Sequence, residues 1–173
     1  MRHDAPYAVP VPDRGVPGPG QESVWDYPRP PRIEECTRRV RVVVGGITIV
    51  DTRHAKRVLE TSSPPVYYVP ATEVTVAHLR PTSGTTFCEW KGAATYFDVA
   101  VGDRTIRRAA WTYAAPTPGY EGIGGHVAFY PGRVDACYVD DQQVRPQPGD
   151  YYGGWVTDDI VGPFKGERGT EGW

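Results

Sequence analysis

The chain of 173 residues has no long apolar run and few cysteines or lysines. Its longest apolar stretch, Val40 to Val50, is interrupted by Arg41 and two glycines, whereas a membrane helix needs about 20 consecutive apolar residues. The N-terminal residues lack the hydrophobic segment of an export signal. We therefore expect a protein of the cytoplasm that has no membrane partner.

Metal-binding patterns are also missing. The three cysteines, Cys36, Cys88 and Cys137, are far apart, and the four histidines are scattered along the chain. Structural zinc sites use closely spaced cysteine and histidine ligands, and an odd number of cysteines does not suit a disulfide framework. The sequence predicts no metal and no cofactor, and free thiols suit a reducing compartment.

The net charge and the missing motifs exclude several further classes of function. A net charge of -2 gives no reason to expect nucleic acid as a partner. No phosphate-binding lysine loop occurs, residues 122–125 lack the spacing of a dinucleotide-binding loop, and there is no nucleophile elbow. The adjacent acids Asp140–Asp141 and Asp158–Asp159 would diverge on a strand, so we expect solvated loop charges there.

The size and composition are typical of one globular domain. Residues 1–20 are rich in proline and glycine and predict a flexible arm, which leaves a single domain over residues 21–173. Trp25 and Tyr27 would be costly to expose, so their proline-rich segment should lie against the domain, beside the apolar C-terminal tail. A disordered tail with stray aromatic residues is the alternative.

Short β-strands and turns account for most of the pattern. Val40, Val42 and Val44 face one side and Arg39 and Arg41 the other, as in a half-buried strand, and Gly45–Gly46 suits a tight turn into a partner strand. The fold class that follows is mainly β: a compact antiparallel sheet or barrel-like domain, with one or two short helices and long wrapping termini.

Four other segments carry more specific expectations. Residues 53–60 have helical spacing and should form a short helix that ends before Pro64–Pro65. Residues 81–84 should form a turn. Strands over residues 126–130 and 134–139 should complete one sheet.

The clearest hairpin is predicted at Gly102–Asp103, which suits a two-residue turn with glycine first. The register counted from that turn gives three cross-strand pairs: Val99 with Ile106, Phe97 with Arg108, and Asp98 with Arg107. One face of the hairpin then carries apolar side chains and should lie in the core.

The other face of this hairpin carries Tyr96, Trp111 and Tyr113. Aromatic rings with polar tips suit the wall of a ligand site. A half-exposed sheet face that is covered by a loop would account for the pattern equally well.

Residues 88–96 bring a thiol, a carboxylate, an amine, an indole and a phenol into nine positions. Lys91 is one of only three lysines, against sixteen arginines, and Gly92 would allow a bulge that turns Lys91 towards the aromatic wall. An amine among aromatic rings can act as a base or nucleophile, or can bind an anion. A structural ion pair between Lys91 and Glu60 is the alternative.

These considerations give a set of candidate site residues. The candidate catalytic residues are Lys91 and Glu60. The candidate ligand-binding residues carry aromatic or thiol groups: Tyr67, Tyr68, Cys88, Tyr96, Trp111, Tyr113 and Tyr130. Because successive strand residues face opposite ways, only one of Tyr67 and Tyr68 should reach the pocket.

Several linked motifs resemble one known family. They are Arg57-Val58-Leu59-Glu60-Thr61, Pro64-Pro65-Val66-Tyr67-Tyr68, Cys88-x-x-Lys91-Gly92-Ala93-Ala94-x-Tyr96, Ala110-Trp111-x-Tyr113 and Val127-Ala128-Phe129-Tyr130. The chain resembles the family called domain of unknown function 427, sometimes labelled a nucleotidyltransferase, over residues 22–173. This resemblance implies a compact antiparallel β-domain similar to the tent-like folds of methionine sulfoxide reductase B. The paired cysteines of the zinc-bearing members of that fold group are absent, as is the acidic pattern of nucleotidyl transfer.

Two classes of function remain from the sequence. The first is an aromatic pocket for a small polar or anionic molecule, in a binding module or a metal-free enzyme that works through Lys91 and Glu60. The second is a structural or interaction protein that docks a partner, or a second copy in a homodimer, through exposed aromatic residues. Nucleotidyl transfer is third and rests on the family label alone.

Overall fold

The computed structural model describes residues 13–173, and within that range it contains β-strands and single-turn 3₁₀ helices but no α-helix. The strands are β1 (Glu22–Ser23), β2 (Arg32–Glu35), β3 (Val40–Val44), β4 (Ile47–Thr52), β5 (Lys56–Leu59), β6 (Val66–Pro70), β7 (Leu79–Cys88), β8 (Gly92–Val101), β9 (Arg104–Thr112), β10 (His126–Phe129), β11 (Ala136–Val139), β12 (Gln142–Gln143), β13 (Arg145–Pro146), β14 (Trp155–Val156) and β15 (Ile160–Val161). The 3₁₀ helices are Val24–Asp26, Ala71–Glu73, Val76–His78 and Glu121–Ile123. No helix of this range is long and apolar enough to cross a membrane.

Two antiparallel sheets make up most of the fold. The larger has seven strands in the order β2-β5-β6-β10-β9-β8-β7, and the smaller has four in the order β12-β11-β3-β4. The remaining strands form two short pairs, β1 with β15 and β13 with β14. No sheet of the described chain closes into a barrel. The prediction of a mainly β, antiparallel fold is confirmed.

The main core contains side chains from both large sheets. Val40, Val42 and Val44 of β3 alternate inward as predicted, and they belong to one cluster with Tyr67 of β6 and Phe129 of β10. All five are almost fully buried. One face of the seven-stranded sheet is therefore packed against the four-stranded sheet, and the opposite face has to be covered by other parts of the chain.

The helix expected over residues 53–60 is wrong, because Lys56–Leu59 forms β5 between β2 and β6. Strand pairing on both sides outweighs a weak local helical pattern. Val58 belongs to the cluster on one face of the sheet. Leu59 belongs to a third cluster, which includes Val24 and Tyr27 of the N-terminal segment.

Two other expectations also need correction. Residues 81–84 lie inside β7, where the register with β8 shifts between Pro81 and Thr85. Because β7 is an edge strand, Pro81 need not supply an N–H to the sheet. Strands β10 and β11 belong to different sheets, so the segment between them links two sheets and does not complete one.

The N-terminal segment lies against the C-terminal tail, as expected from its aromatic residues. Strands β1 and β15 pair in parallel, and Trp25 makes an edge-to-face contact with Trp173 at 5.5 Å between ring centroids. Arg14 lies over the Trp25 ring, and the Gly15 N–H donates to the Gly162 carbonyl. Contacts with the domain thus begin before residue 20, where the flexible arm was expected to end; the rest of that expectation, for residues 1–12, lies outside the described residues.

Arg57 of β5 connects this segment to the large sheet. Its guanidinium contacts Glu22 at 2.5 Å and Glu34 at 2.6 Å, and its side chain is only 11% exposed. Glu22 also accepts a hydrogen bond from the Tyr27 hydroxyl. Burial and the Glu22 carboxylate raise the pKa of Tyr27 far above its usual value.

We expect Arg57→Met to destabilise the protein by about 3 kcal/mol, because it leaves two carboxylates beside a buried site without their cation. Arg32→Met is the matched control, since Arg32 pairs with the same Glu34 but is 58% exposed, and such pairs contribute about 0 to 1 kcal/mol. Urea unfolding followed by tryptophan fluorescence measures both. Equal losses in the two variants would contradict a connecting role for Arg57.

Candidate functional site

A cleft of about 780 Å³ opens on the second face of the seven-stranded sheet. Its wall is formed by aromatic side chains from β6, β8 and β9 and from the residues that follow β9 and β10: Tyr68, Tyr96, Trp111, Tyr113 and Tyr130. The cleft is also lined by residues from segment 58–66, by the turn between β7 and β8, by Arg108 and Arg133, and by the C-terminal segment 147–165.

Four of the five rings in this wall form a continuous series of contacts. Tyr68 lies 6.4 Å from Tyr113 and 6.2 Å from Trp111 between ring centroids, and Trp111 lies 4.5 Å from Tyr130. The Trp111 indole N–H donates to the Tyr68 hydroxyl at 3.3 Å. Rings held in this way present a rigid apolar surface that keeps polar groups at its edges.

A register shift in the β8–β9 hairpin brings Trp111 opposite Tyr96. Val99 pairs with Ile106 as predicted, but beyond that point Phe97 pairs with Ala110, so two extra residues of β9 are accommodated. The predicted pairs of Phe97 with Arg108 and Asp98 with Arg107 are therefore wrong.

The backbone conformation of Arg108 and one hydrogen bond stabilise this register shift. Arg108 has a φ of 47°, and its backbone N–H donates to the Asp98 carboxylate at 2.8 Å. An even shift keeps the side chains beyond it on their original face, whereas a shift of one residue would reverse the faces. Within the shift itself, Arg108 turns to the cleft. The predicted aromatic face is therefore intact despite the incorrect register.

The turn from Glu89 to Lys91 links β7 to β8. Cys88 pairs with Gly92 across this hairpin, so Gly92 ends a hairpin turn and is not part of the bulge that we expected. Its φ of 101° suits glycine, and an added Cβ would lie 3.2 Å from Thr117. The Thr117 N–H and hydroxyl donate to the carbonyls of Lys91 and Trp90 and hold the turn in place.

The C-terminal segment packs very closely on the aromatic wall. A Cβ added to Gly153 would lie 2.2 Å from the Trp111 ring, so only glycine allows this approach. Gln147 is buried; its amide donates to the Lys165 carbonyl and its oxygen accepts from the Gly154 N–H. These bonds fix the segment against the aromatic wall.

The structure brings eight of the nine candidate residues to the cleft. These are Glu60, Tyr68, Cys88, Lys91, Tyr96, Trp111, Tyr113 and Tyr130. Tyr67 is not among them, because it points to the opposite face and packs on Trp155 at 4.9 Å between ring centroids. The functional roles assigned to these residues stay predictions.

Lys91 and Glu60 do not pair with each other. The Lys91 amine lies 5.7 Å from the Tyr113 ring centroid, and within residues 13–173 it forms no ion pair. Glu60 pairs with Arg29 at 3.4 Å. The structural ion pair considered as the alternative role for Lys91 is therefore absent from the described chain.

Sequence reasoning missed several residues of the cleft, notably Arg108, Arg133, Tyr152 and Lys165. Arg108 reaches the cleft only because of the register shift. The other three lie in loop segments without a periodic pattern, so no spacing rule assigns them to a face.

Burial alters the chemistry of the cleft phenols. It is the main cause that raises the pKa of Tyr68 and Tyr113 well above 10 and that of Tyr130 to about 12, where the neighbouring Tyr96 also contributes. These hydroxyls are therefore neutral hydrogen-bonding groups at physiological pH. Among residues 13–173, no group of three or more histidines, cysteines or acids is placed to hold a metal ion.

The raised pKa values predict a loss of stability at alkaline pH. The ordinary pKa of tyrosine is about 10. Below that pH these phenols are neutral in both the folded and the unfolded chain, and their burial contributes fully to the stability of the fold. Above it the unfolded chain loses protons first, so stability falls as the pH rises towards the folded-state values. Tyrosinate absorbance near 295 nm should stay incomplete in the folded protein at pH about 11 and rise fully only on unfolding. Complete, reversible titration of all eleven tyrosines in folded protein at that pH would contradict the prediction.

A mainly β domain with an aromatic cleft on one sheet face is the class that this geometry defines. The chain belongs to the family described as a domain of unknown function, DUF427, whose profile matches residues 32–140 and carries the label NTP_transf_9. The matched region contains the aromatic wall, the β7–β8 turn and Arg133, whereas segment 147–165 lies beyond it. No curated protein matches the chain.

Proposed function

We propose that the cleft binds a small anionic molecule that contains a flat ring. The observation that carries this proposal is the state of the four basic side chains in the cleft, Lys91, Arg108, Arg133 and Lys165. None of them forms an ion pair within the described part of the chain, whereas eight of the other fourteen lysines and arginines there do.

The charges and the rings together favour this class of ligand. Of the three carboxylates that line the cleft, Glu60 is neutralised by Arg29, and Glu89 and Asp150 are exposed to water. Cations without a carboxylate counter-ion attract an anion, and the aromatic rings beside them offer a stacking surface for a planar group. The cleft volume of about 780 Å³ is within the usual range for small-molecule sites.

Binding is better supported than catalysis. Glu60, the candidate catalytic residue beside Lys91, is engaged by Arg29. The nucleotidyltransferase label of the family does add nucleotides to the ligands worth testing, since a nucleotide combines a flat base with phosphate.

We expect the protein to bind indole-3-acetate and to bind tryptamine at least tenfold more weakly, because the two share a ring but carry opposite charges. Lys91→Met should weaken binding of indole-3-acetate about fivefold, or about 1 kcal/mol. The stability of the free protein should change by less than about 0.5 kcal/mol, since Lys91 has no ion pair to lose. Titration calorimetry and thermal melting measure these quantities.

Arg107→Met is the matched control for charge. Arg107 is exposed, is not among the residues that line the cleft and forms no ion pair within residues 13–173. Equal binding of the two ring compounds, or equal effects of the two variants, would contradict the proposal. A large loss of stability in free Lys91→Met would instead indicate a structural role.

Docking of a partner or a second copy is a second candidate, favoured by the rim of the cleft. Phe87 and Tyr151 are 77% and 74% exposed, and Tyr151 packs edge-to-face on Tyr152. Large apolar groups exposed together often mark interfaces. If this rim joins two copies, light scattering should give a dimer mass for the wild type and a monomer mass for Phe87→Ser.

A further inference from the structure

Two arginines, Arg108 and Arg133, lie at the Tyr130 end of the aromatic wall, whereas Lys91 lies at its Tyr113 end. The Arg108 guanidinium lies over the Tyr96 ring at 4.1 Å, and the Arg133 guanidinium lies over the Tyr130 ring at 3.9 Å. Tyr96 and Tyr130 both line the cleft. The two guanidiniums thus rest on adjoining aromatic platforms in one cleft.

Arg133 is held by backbone groups. Its Nη1 donates to the Arg108 carbonyl at 2.6 Å, and its Nη2 donates to the Asp150 carbonyl at 2.9 Å. No carboxylate neutralises the guanidinium, because Arg133 forms no ion pair within the described residues. Its charge is therefore fixed in position and without a counter-ion.

Arg108 is free to bind. Its backbone is fixed by the bulge, where the N–H donates to Asp98 and the carbonyl accepts from Arg133. Its side chain donates no hydrogen bond and forms no ion pair to residues 13–173. Stacking on Tyr96 covers one face of the guanidinium and leaves its edge, with the forked N–H donors, available for an oxyanion.

We propose that Arg108 and Arg133 form the seat of a phosphate monoester group of the ligand. This inference rests on the proposed function and assigns the class of its anionic group. Two unneutralised guanidiniums match the double charge of a phosphate monoester, and its three terminal oxygens can accept from both arginines at once. A carboxylate carries one charge and two oxygens and would leave part of the pair unused.

The probes are phenyl phosphate, benzoate and phenol, which share a ring and differ in charge, titrated calorimetrically into the full chain at constant ionic strength. We expect phenyl phosphate to bind at least tenfold more tightly than either of the others. Arg108→Met should weaken its binding at least tenfold, whereas Arg107→Met should leave it unchanged.

Arg108→Gly keeps the proposal testable if the methionine variant folds poorly. Glycine suits the φ of 47° at this position, so this variant should melt no lower than the wild type and still lose at least tenfold in affinity. Arg133→Lys keeps the charge but removes the fork, and it should weaken phenyl phosphate binding about fivefold.

Several results would overturn the inference. One is benzoate binding as tightly as phenyl phosphate; another is Arg108→Gly binding phenyl phosphate like the wild type. A loss in Lys91→Met as large as that in Arg108→Met would place the phosphate at the other end of the wall. If phenyl phosphate fails to bind while indole-3-acetate still binds through Lys91, this inference fails alone; if neither binds, the proposed function fails as well.

Discussion

The two-residue register shift between β8 and β9 is the constraint on which the site depends. Its backbone is stabilised where the Asp98 carboxylate accepts the N–H of Arg108, a residue in the left-handed region. The shift places Trp111 opposite Tyr96 and turns the Arg108 side chain towards the cleft. Bulges commonly re-aim side chains next to functional sites, and here one irregularity serves both the aromatic wall and the cationic end of the cleft.

The two faces of the large sheet have different physical characters. One face meets the four-stranded sheet and forms a dry core, which includes Tyr67 and Phe129. The other is covered only by loops and by the C-terminal segment, whose Gly153 approaches Trp111 more closely than any side chain would allow. Incomplete cover leaves an open cleft, and the basic groups that line it form no ion pairs in the described chain, unlike the Arg57 cluster that stabilises the N-terminal segment.

Much of the site could be predicted because strand residues alternate between faces. Tyr96, Trp111 and Tyr113 were assigned correctly to one face, since a shift of two residues preserves alternation. The same rule could not choose between Tyr67 and Tyr68, because alternation does not say which face is the core. Glu60 reaches the cleft, but only the structure identifies its partner as Arg29, which is distant in sequence and arrives with the docked N-terminal segment.

The sequence by itself determined the mainly β class, the hairpin turns at Gly45–Gly46 and Gly102–Asp103, and the burial of alternate valines, since each depends on local backbone preferences and short-range periodicity. The strand over Lys56–Leu59 was decided by tertiary structure, because pairing with β2 and β6 on both sides outweighs local propensity. The contact between the Arg133 guanidinium and the Arg108 carbonyl also depends on tertiary structure. Contacts between residues far apart in sequence depend on register and on the path of the loops, and neither is encoded in the spacing of a single segment.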